Sequence, residues 1–316
     1  MSFELVTLGV VCADIMARPV SEIPKRGTLG HIPHLEMHLG GLAGVTAIVY
    51  SQLGGTSAFL GRLGCDSFGD YLLNTMRAAG VNVDGIERTN EVNSSATMVM
   101  IHPDGERTFL HHMGTNAETT PDHYDMTMLE QARMVHWGGP GITTKLEGAP
   151  MARLFERLRK KGIITSFDTC YDGSGRWLPL IEPALPHTNV AITSLEEARL
   201  YTGKQDAEDI TAFLKSYGPE IAIVKLGAQG MYIDGPGEKL YVPSYEVNVL
   251  DTTGAGDAAC AGFIYGYLRG WPLLRCGQLA CAVGALTVEH MGGAEAIQSL
   301  DATLAFMEQG RCLIHS

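Results

Sequence analysis

The sequence predicts an α/β fold with a mainly parallel central sheet and helices on both of its faces. Strand-like apolar runs alternate along the chain with helix-like runs, and glycine-containing turns separate them. Such alternation places successive strands parallel and packs the connecting helices on the two faces of the sheet. In addition, 45% of the 316 residues are hydrophobic, which is enough to form a large core around such a sheet.

The first elements lie close to the N-terminus. The run FELVTLGVV predicts a buried strand. GGLAGVTAIVYSQLGG predicts a glycine turn and then a helix that ends at Gly54 and Gly55, because glycine commonly ends helices. TSAFLGRLG predicts the next strand, and SFGDYLLNTMRAAG predicts an amphipathic helix that ends at Gly80.

The same alternation continues in the second half of the chain. APMARLFERLRKKG predicts a helix and IITSFDT a strand. SLEEARLYTG predicts a helix with Ser194 as its N-cap and with Glu196 and Glu197 in its first turn, where the helix dipole favours acidic side chains. EDITAFLKSYG predicts a helix, EIAIVKLG a strand, and GQLACAVGALTVEH another helix.

Two segments do not follow this alternation. The first, residues 13–39, contains three prolines, and the second, residues 93–112, predicts a hairpin that turns at PDG. Both are typical of antiparallel strands, which would pair into a small sheet over one end of the main domain. We therefore expect residues 1–12, 40–92 and 113–316 to form the main α/β domain and residues 13–39 and 93–112 to form a β lid.

Charge and cysteine content narrow the classes of partner. The formal net charge is −12, which argues against nucleic acid or an anionic membrane as the main partner. No signal-peptide pattern and no apolar run of roughly 18 residues is present, so we expect no membrane insertion. The seven cysteines include no CxxC pair, which predicts reduced thiols and a cytoplasmic protein.

The stretch VLDTTGAGDAACAGFIYGYLRG carries the strongest functional signal. A strand-like run, YVPSYEVNVL, leads into a turn that holds two glycines, two threonines and two aspartates. A purely structural turn, with Asp257 as a helix cap, leaves the threonines and the paired glycines unexplained. The turn also fits the dinucleotide pattern G-x-G-x-x-A, but that pattern requires an acidic residue about 20 positions downstream. No Asp or Glu lies between Asp257 and Glu289, so the dinucleotide interpretation lacks the acidic residue that would hold the ribose.

A third interpretation is a phosphoryl-transfer site. Consecutive amides at a helix N-terminus form an anion pocket, and a carboxylate beside that pocket suits a general base for a hydroxyl nucleophile. Neither the P-loop pattern nor the HRD and DFG motifs of protein kinases occur in the chain. A phosphate enzyme with this turn therefore belongs to another class.

DTTGAGDAACAGF resembles the C-terminal signature of the PfkB or ribokinase family of carbohydrate kinases. Several other motifs match in order: HLGGLAGVTA with its glycine pair, GCDSFG, SLEEARLYTG and VKLGAQG. The similarity covers essentially the whole chain. It implies a ribokinase-like fold, in which a small β-sheet lid accompanies the central α/β domain.

The resemblance implies roles for the turn. Asp257 would be the general base, and the amides of Gly254, Ala255 and Gly256 would form an anion hole for the transferred phosphoryl group. Asp14, at the end of the predicted first strand, would bind sugar hydroxyls.

The resemblance also assigns residues to the sugar and the metal ion. Gly40 and Gly41 would let the backbone approach the sugar closely, although the pair also fits a helix start after a strand. Glu197 would act on Mg²⁺ through water, although a first-turn glutamate is also favoured by the helix dipole. Ser194 replaces the asparagine of that family motif.

Nucleotide and monovalent-cation contacts come from the resemblance as well. Lys225, Gly227 and Gly230 lie where the family meets ATP, although an ordinary turn explains them too. Asp251 and Thr253 resemble positions that bind a monovalent cation, such as K⁺, in some members.

Val45 stands where the family has an asparagine that hydrogen-bonds the sugar. Either the acceptor is less hydroxylated at that edge or another residue makes the contact. Arg107, on the predicted lid hairpin, is a candidate that would suit an acidic or phosphorylated substrate. A solvated loop arginine explains the residue equally well.

These features together predict an ATP- and Mg²⁺-dependent kinase for a hydroxyl of a monosaccharide or sugar acid. The lid would exclude water, and pairing of two lids would cover their strand edges, which predicts a homodimer. A nucleoside kinase of the same fold and a non-catalytic sugar-binding or regulatory homologue remain alternatives.

Overall fold

The computed structural model describes residues 3–313. Within this range the chain forms thirteen strands: β1 (Leu5–Gly9), β2 (Cys12–Arg18), β3 (His34–Gly40), β4 (Ser57–Gly64), β5 (Ile86–Thr89), β6 (Ala96–Ile101), β7 (Arg107–His112), β8 (Met134–Gly138), β9 (Ile164–Asp168), β10 (Val190–Ser194), β11 (Ile221–Lys225), β12 (Met231–Gly235) and β13 (Glu238–Val242).

The same range contains ten α-helices: α1 (Leu42–Gln52), α2 (Ser67–Ala78), α3 (Gly114–Glu118), α4 (Met126–Glu130), α5 (Ala149–Lys160), α6 (Leu195–Thr202), α7 (Ala207–Ser216), α8 (Ala255–Leu268), α9 (Leu273–Val288) and α10 (Leu300–Gln309). No helix among these residues is both long and apolar enough to span a membrane.

The central sheet has nine strands in the spatial order β13–β12–β11–β10–β9–β8–β1–β4–β5. The seven strands from β11 to β5 pair in parallel, and β12 and β13 add antiparallel strands at one edge. Successive residues of β1 point to opposite faces: Leu5 packs in one buried cluster, and Val6 and Leu8 pack in the other. The predicted parallel sheet with helices on both faces is thus confirmed.

The small sheet has the strand order β3–β2–β6–β7. The β6–β7 hairpin turns at Gly105, whose φ is 86°, as the PDG motif predicts. The expectation of purely antiparallel strands needs a correction, because β2 and β6 join the two segments by parallel pairing.

The first predicted strand is in fact two strands. Gly9 has φ 121°, and a Cβ there would lie 2.1 Å from the carbonyl oxygen of Gly138. The chain therefore leaves the central sheet at this point, and β2 begins in the small sheet at Cys12. Asp14 consequently lies inside β2 and not at the end of the first strand.

The run YVPSYEVNVL is another correction. Strand β13 ends at Val242, and the chain has no regular strand from Pro243 to the start of α8. Proline lacks the N–H that would continue the antiparallel ladder. A long loop, instead of a strand, therefore precedes the glycine turn.

Candidate active site

The candidate site lies at the carboxyl edge of the parallel strands, where ligands bind in open α/β sheets. Asp168, Ser194 and Lys225 are the last residues of β9, β10 and β11. A cavity of about 480 Å³ opens beside them. The residues from these strand ends and from the start of α8 that line it include Thr169, Glu197, Lys225, Gly227, Gly230, Ala255, Gly256 and Asp257.

The opposite part of the cavity is largely apolar. Its walls come from the loop after β13 and from α9. The apolar lining residues include Tyr245, Val247, Val249, Ala285 and Val288. The cavity thus has a polar end beside the strand termini and an apolar end beneath the loop, a division typical of small-molecule sites.

The glycine turn forms the start of α8. Gly254 is the N-cap residue, with φ 73° and ψ −3°, and a Cβ there would lie 2.6 Å from Cα of Gly293. Within residues 3–313 no protein group accepts from the amides of Gly254 and Gly256, whereas the amide of Ala255 donates to the Thr252 carbonyl at 3.4 Å. Two predicted anion-hole amides are therefore free, and the third is weakly engaged.

Asp257 lies in the first turn of α8, partly buried, with its side chain at the cavity. Burial raises the pKa of Asp257 to about 7, with further increases from the Asp168 and Glu197 carboxylates, and the Lys225 ammonium opposes this rise. A carboxyl group with a pKa near neutral pH suits general-base chemistry.

Lys225 lies directly behind the turn. Its Nζ donates to Asp168 Oδ2 at 2.5 Å, and Cys260 Sγ lies 3.2 Å from the same oxygen. A Cβ on Gly256 would lie 3.1 Å from Nζ, so the ammonium group contacts the turn from beneath. Burial acts to lower the pKa of Lys225, but Asp168 and its other anionic neighbours hold the pKa above its ordinary value.

Sequence reasoning did not single out Asp168 or Cys260. Asp168 is the last residue of a correctly predicted strand, and polar residues at such positions face the ligand edge of a parallel sheet. The position of Asp168 at the end of this strand could therefore have identified it as a candidate site residue. Cys260 carried no signal of its own, because a cysteine on an apolar helix is typical of a core residue.

Ser194 caps α6 as predicted, accepting a hydrogen bond from the Glu197 amide at 3.4 Å. The Glu197 side chain reaches the cavity, and Oε2 accepts from Thr169 Oγ1 at 2.7 Å. Burial raises the pKa of Glu197, and the neighbouring Asp168 raises it further.

A carboxylate at the polar end of the cavity fits a Mg²⁺ ion, which binds one or two carboxylates together with substrate phosphates. No group of three or more metal-binding side chains occurs within the described part of the chain. The geometry therefore suits an ion bound together with a nucleotide, and it does not suit a cage formed by protein alone.

Asp14 lies near the base of the lid, 7% exposed, and Cys12 Sγ donates to its Oδ1 at 3.2 Å. Burial raises the pKa of this carboxyl, and the bond from Cys12 opposes the rise. A Cβ on Gly40 would lie 1.9 Å from Asp14 Oδ2, so a side chain at Gly40 would displace the carboxylate. Gly41 is the N-cap of α1, with φ 95°.

Val45 lies elsewhere. It packs in the core, 1% exposed, and does not line the described cavity. A substrate contact by Val45 stays a prediction, and this burial gives it no support.

Arg107 is not a free loop arginine. It begins β7, and its guanidinium crosses from the small sheet to the loop before α8. Nη1 donates to Thr253 Oγ1 at 2.7 Å and Nη2 donates to Thr252 Oγ1 at 2.9 Å. Nη1 also lies 3.5 Å from Asp251 Oδ1.

The comparison with known proteins identifies the family. The family model described as pfkB family carbohydrate kinase matches residues 4–300. This chain belongs to the pfkB family of carbohydrate kinases. Members of this family transfer a phosphoryl group to a hydroxyl, and the chain is accordingly a phosphotransferase with an alcohol group as acceptor.

Relatives agree with this membership. The chain is similar to an uncharacterized sugar kinase of Archaeoglobus fulgidus, with 29% identity over 78% of this chain and 97% of that protein. It is 26% identical to a fructokinase of Solanum tuberosum over 86% of each chain. This pfkB family kinase therefore matches its relatives over most of their length.

Solved structures agree on the fold. A proposed ribokinase II of Escherichia coli, solved in complex with ATP and Mg²⁺, superposes with a TM-score of 0.85 at 23% identity. The match covers 97% of this chain and 99% of that one. The predicted ribokinase-like fold is confirmed.

Proposed function

We propose that this kinase transfers the γ-phosphoryl group of ATP to a hydroxyl of a monosaccharide or sugar acid, with Asp257 as the general base. The observation that carries the proposal is the position of this carboxyl. It lies in the same helical turn as the free amides of Gly254 and Gly256, and its pKa is about 7. A general base must lie beside the phosphorus under attack, and this turn supplies both the Asp257 carboxyl and the amides that would bind the phosphoryl group.

In the proposed reaction, each group of the turn acts on a proton or a negative charge that lies close to it. Asp257 accepts the proton of the acceptor hydroxyl as that oxygen bonds to the γ-phosphorus, while the bond from the γ-phosphorus to the β–γ bridging oxygen breaks and ADP leaves. The amides of Gly254 and Gly256 stabilise negative charge on the phosphoryl oxygens, and Ala255 adds its amide if the bond to Thr252 opens. Asp14 orients the acceptor by accepting hydrogen bonds from its hydroxyls.

ATP fits the two-part cavity. The apolar end would take the base, and the polar end, with Lys225, Gly227 and Gly230, would take the phosphates. Bound Mg²⁺ offsets the charge of the triphosphate, and Glu197 would hold the ion through water. The E. coli structure with ATP and Mg²⁺ on the same fold supports this assignment.

The test is a screen for ADP release with ketohexoses, pentoses, ketodeoxy sugar acids and nucleosides as acceptors. Asp257→Asn keeps the shape of the side chain and removes the base, so we expect turnover to fall roughly 10²–10⁴-fold. Asp209→Asn is the matched control, because Asp209 is also the third residue of its helix, α7, and lies outside the cavity.

The screen separates the alternatives. Turnover confined to nucleosides would establish a nucleoside kinase in place of a sugar kinase. If Asp257→Asn turns over as fast as the wild type on every acceptor, the assignment of Asp257 as the base is wrong. Absence of turnover with all acceptors would favour a sugar-binding or regulatory role.

We also propose a homodimer formed through the small sheet. The outer row Met37, Ile15, Met98 and Leu110 crosses all four strands in register, and Leu35 lies in the next row. Met37, Met98, Leu110 and Leu35 are exposed. A second copy of the same apolar surface would cover them, and a self-complementary contact of this kind is typical of a two-fold dimer.

A further inference from the structure

The contact of Arg107 with Asp251 joins the lid to the main domain. Asp251 lies in the loop before α8, and its side chain is 4% exposed. Oδ1 accepts from the amide and the hydroxyl of Thr253, at 3.0 and 2.7 Å, and Oδ2 accepts from the Gly292 amide at 3.2 Å. Every one of these donors is a neutral group.

A buried carboxylate requires a compensating positive charge or strong hydrogen bonds. Arg107 is the one cationic side chain within 4.0 Å of Asp251 in the described range, and it comes from the lid. Its second nitrogen is fixed by Thr252, so the guanidinium lies against the loop with two hydrogen bonds.

A monovalent cation does not fit this arrangement. The family resemblance places such an ion at Asp251 and Thr253, whose side chains would offer it carboxylate and hydroxyl oxygens. Asp251 Oδ1 already accepts from Thr253, Oδ2 accepts from Gly292, and Thr253 Oγ1 accepts from Arg107. The Arg107 guanidinium lies 3.5 Å from Asp251 Oδ1 and would repel a second cation placed beside these oxygens.

We propose that Arg107 supplies, from the lid, the positive charge that Asp251 requires, so that this kinase works without K⁺. Thr253 directly precedes Gly254, the N-cap of α8. The Arg107 contacts therefore hold the loop that orients the free amides, and they do so only when the lid is in place. The inference deepens the proposed kinase function, and its catalytic readout rests on that function.

The experiment compares potassium chloride with choline chloride at equal ionic strength. The wild type, Arg107→Gln and Arg18→Gln are measured for ADP release and for thermal unfolding midpoint. Arg18→Gln is a matched control, because Arg18 is a lid arginine that is 31% exposed, against 30% for Arg107, and it pairs with Glu36 within the lid.

The wild type and Arg18→Gln are expected to show the same rate and midpoint in both salts. Arg107→Gln in choline is expected to lose at least about tenfold in rate and about 4 °C or more in midpoint, because the buried Asp251 carboxylate loses the cation that lies beside it. Potassium or guanidinium ions are expected to restore part of both losses in this variant, since they enter the vacated position.

Three outcomes overturn the inference: activation of the wild type by K⁺ of about tenfold or more, wild-type behaviour of Arg107→Gln in choline, and a deficit that neither K⁺ nor guanidinium ions restore. The thermal unfolding midpoint is measured without any acceptor, so it still tests the role of Arg107 if none of the acceptors is phosphorylated. Failure of the kinase proposal is thereby distinguishable from failure of this one.

Discussion

At the scale of single residues, the ionisation of Asp257 determines how the kinase responds to pH. Burial and two neighbouring carboxylates raise its pKa to about 7, and Lys225 opposes them. The base must be unprotonated, so we expect kcat/KM to rise as the pH increases through about 7 and to level off above it. A profile of kcat/KM against pH, from about pH 5.5 to 9, measures this rise, which forms the rising limb of the profile.

Lys225→Met removes the charge that lowers the Asp257 pKa, so the rising limb is expected to move to higher pH. Lys239→Met is the control, because Lys239 pairs with the exposed Glu208 outside the cavity. A limb that stays in place or moves to lower pH would contradict the role assigned to Lys225.

The buried pair of Lys225 and Asp168 also predicts a stability pattern. Removing one partner leaves an uncompensated buried charge, so Lys225→Met is expected to cost about 3–5 kcal/mol in free energy of unfolding. The double variant Lys225→Met with Asp168→Asn is expected to cost less than the single one. Denaturant titration measures both variants, and purely additive losses would show that the two groups are not coupled.

At the scale of elements, the start of α8 depends on a residue without a side chain. Gly254→Ala adds a Cβ at φ 73° that lies 2.6 Å from Gly293 Cα, so the turn and its amides must shift. We expect loss of activity of roughly 10²-fold or more, as when an oxyanion-hole donor is removed.

Gly203→Ala separates this effect from backbone strain. Gly203 ends α6 at φ 70°, and a Cβ there meets nothing within 4 Å. Both variants should lose about 1 kcal/mol or more of stability from the left-handed backbone, but only Gly254→Ala should lose activity. Equal losses of activity in the two variants would show that strain alone is responsible.

At the scale of the whole molecule, the exposed apolar row of the small sheet predicts a dimer. Leu110→Glu places a charge on that row, and we expect it to convert the protein to monomers in multi-angle light scattering at micromolar concentration. Leu200→Glu is the control, because Leu200 is exposed on α6 in the main domain. A wild type that is already monomeric would refute the dimer.

Local patterns predicted much of this architecture because they depend on neighbouring residues. The helix from Ala149 to Lys160, the cap at Ser194 and the hairpin at Gly105 all follow from spacing and turn chemistry. The division of the first strand at Gly9 was missed, because its cause is the distant carbonyl of Gly138. Periodicity within a single run carries no information about such a contact.

The sequence by itself determined the α/β class, the order of the main elements and the glycine turn with its carboxylate, since each depends on a few adjacent residues. Only the tertiary structure decided that Asp168 and Lys225, 57 residues apart, form the buried pair behind that turn. It also decided that Arg107 of the lid lies against Asp251, 144 positions later in the chain. Such pairs form when strand ends and loops meet in space, which separation along the chain does not specify.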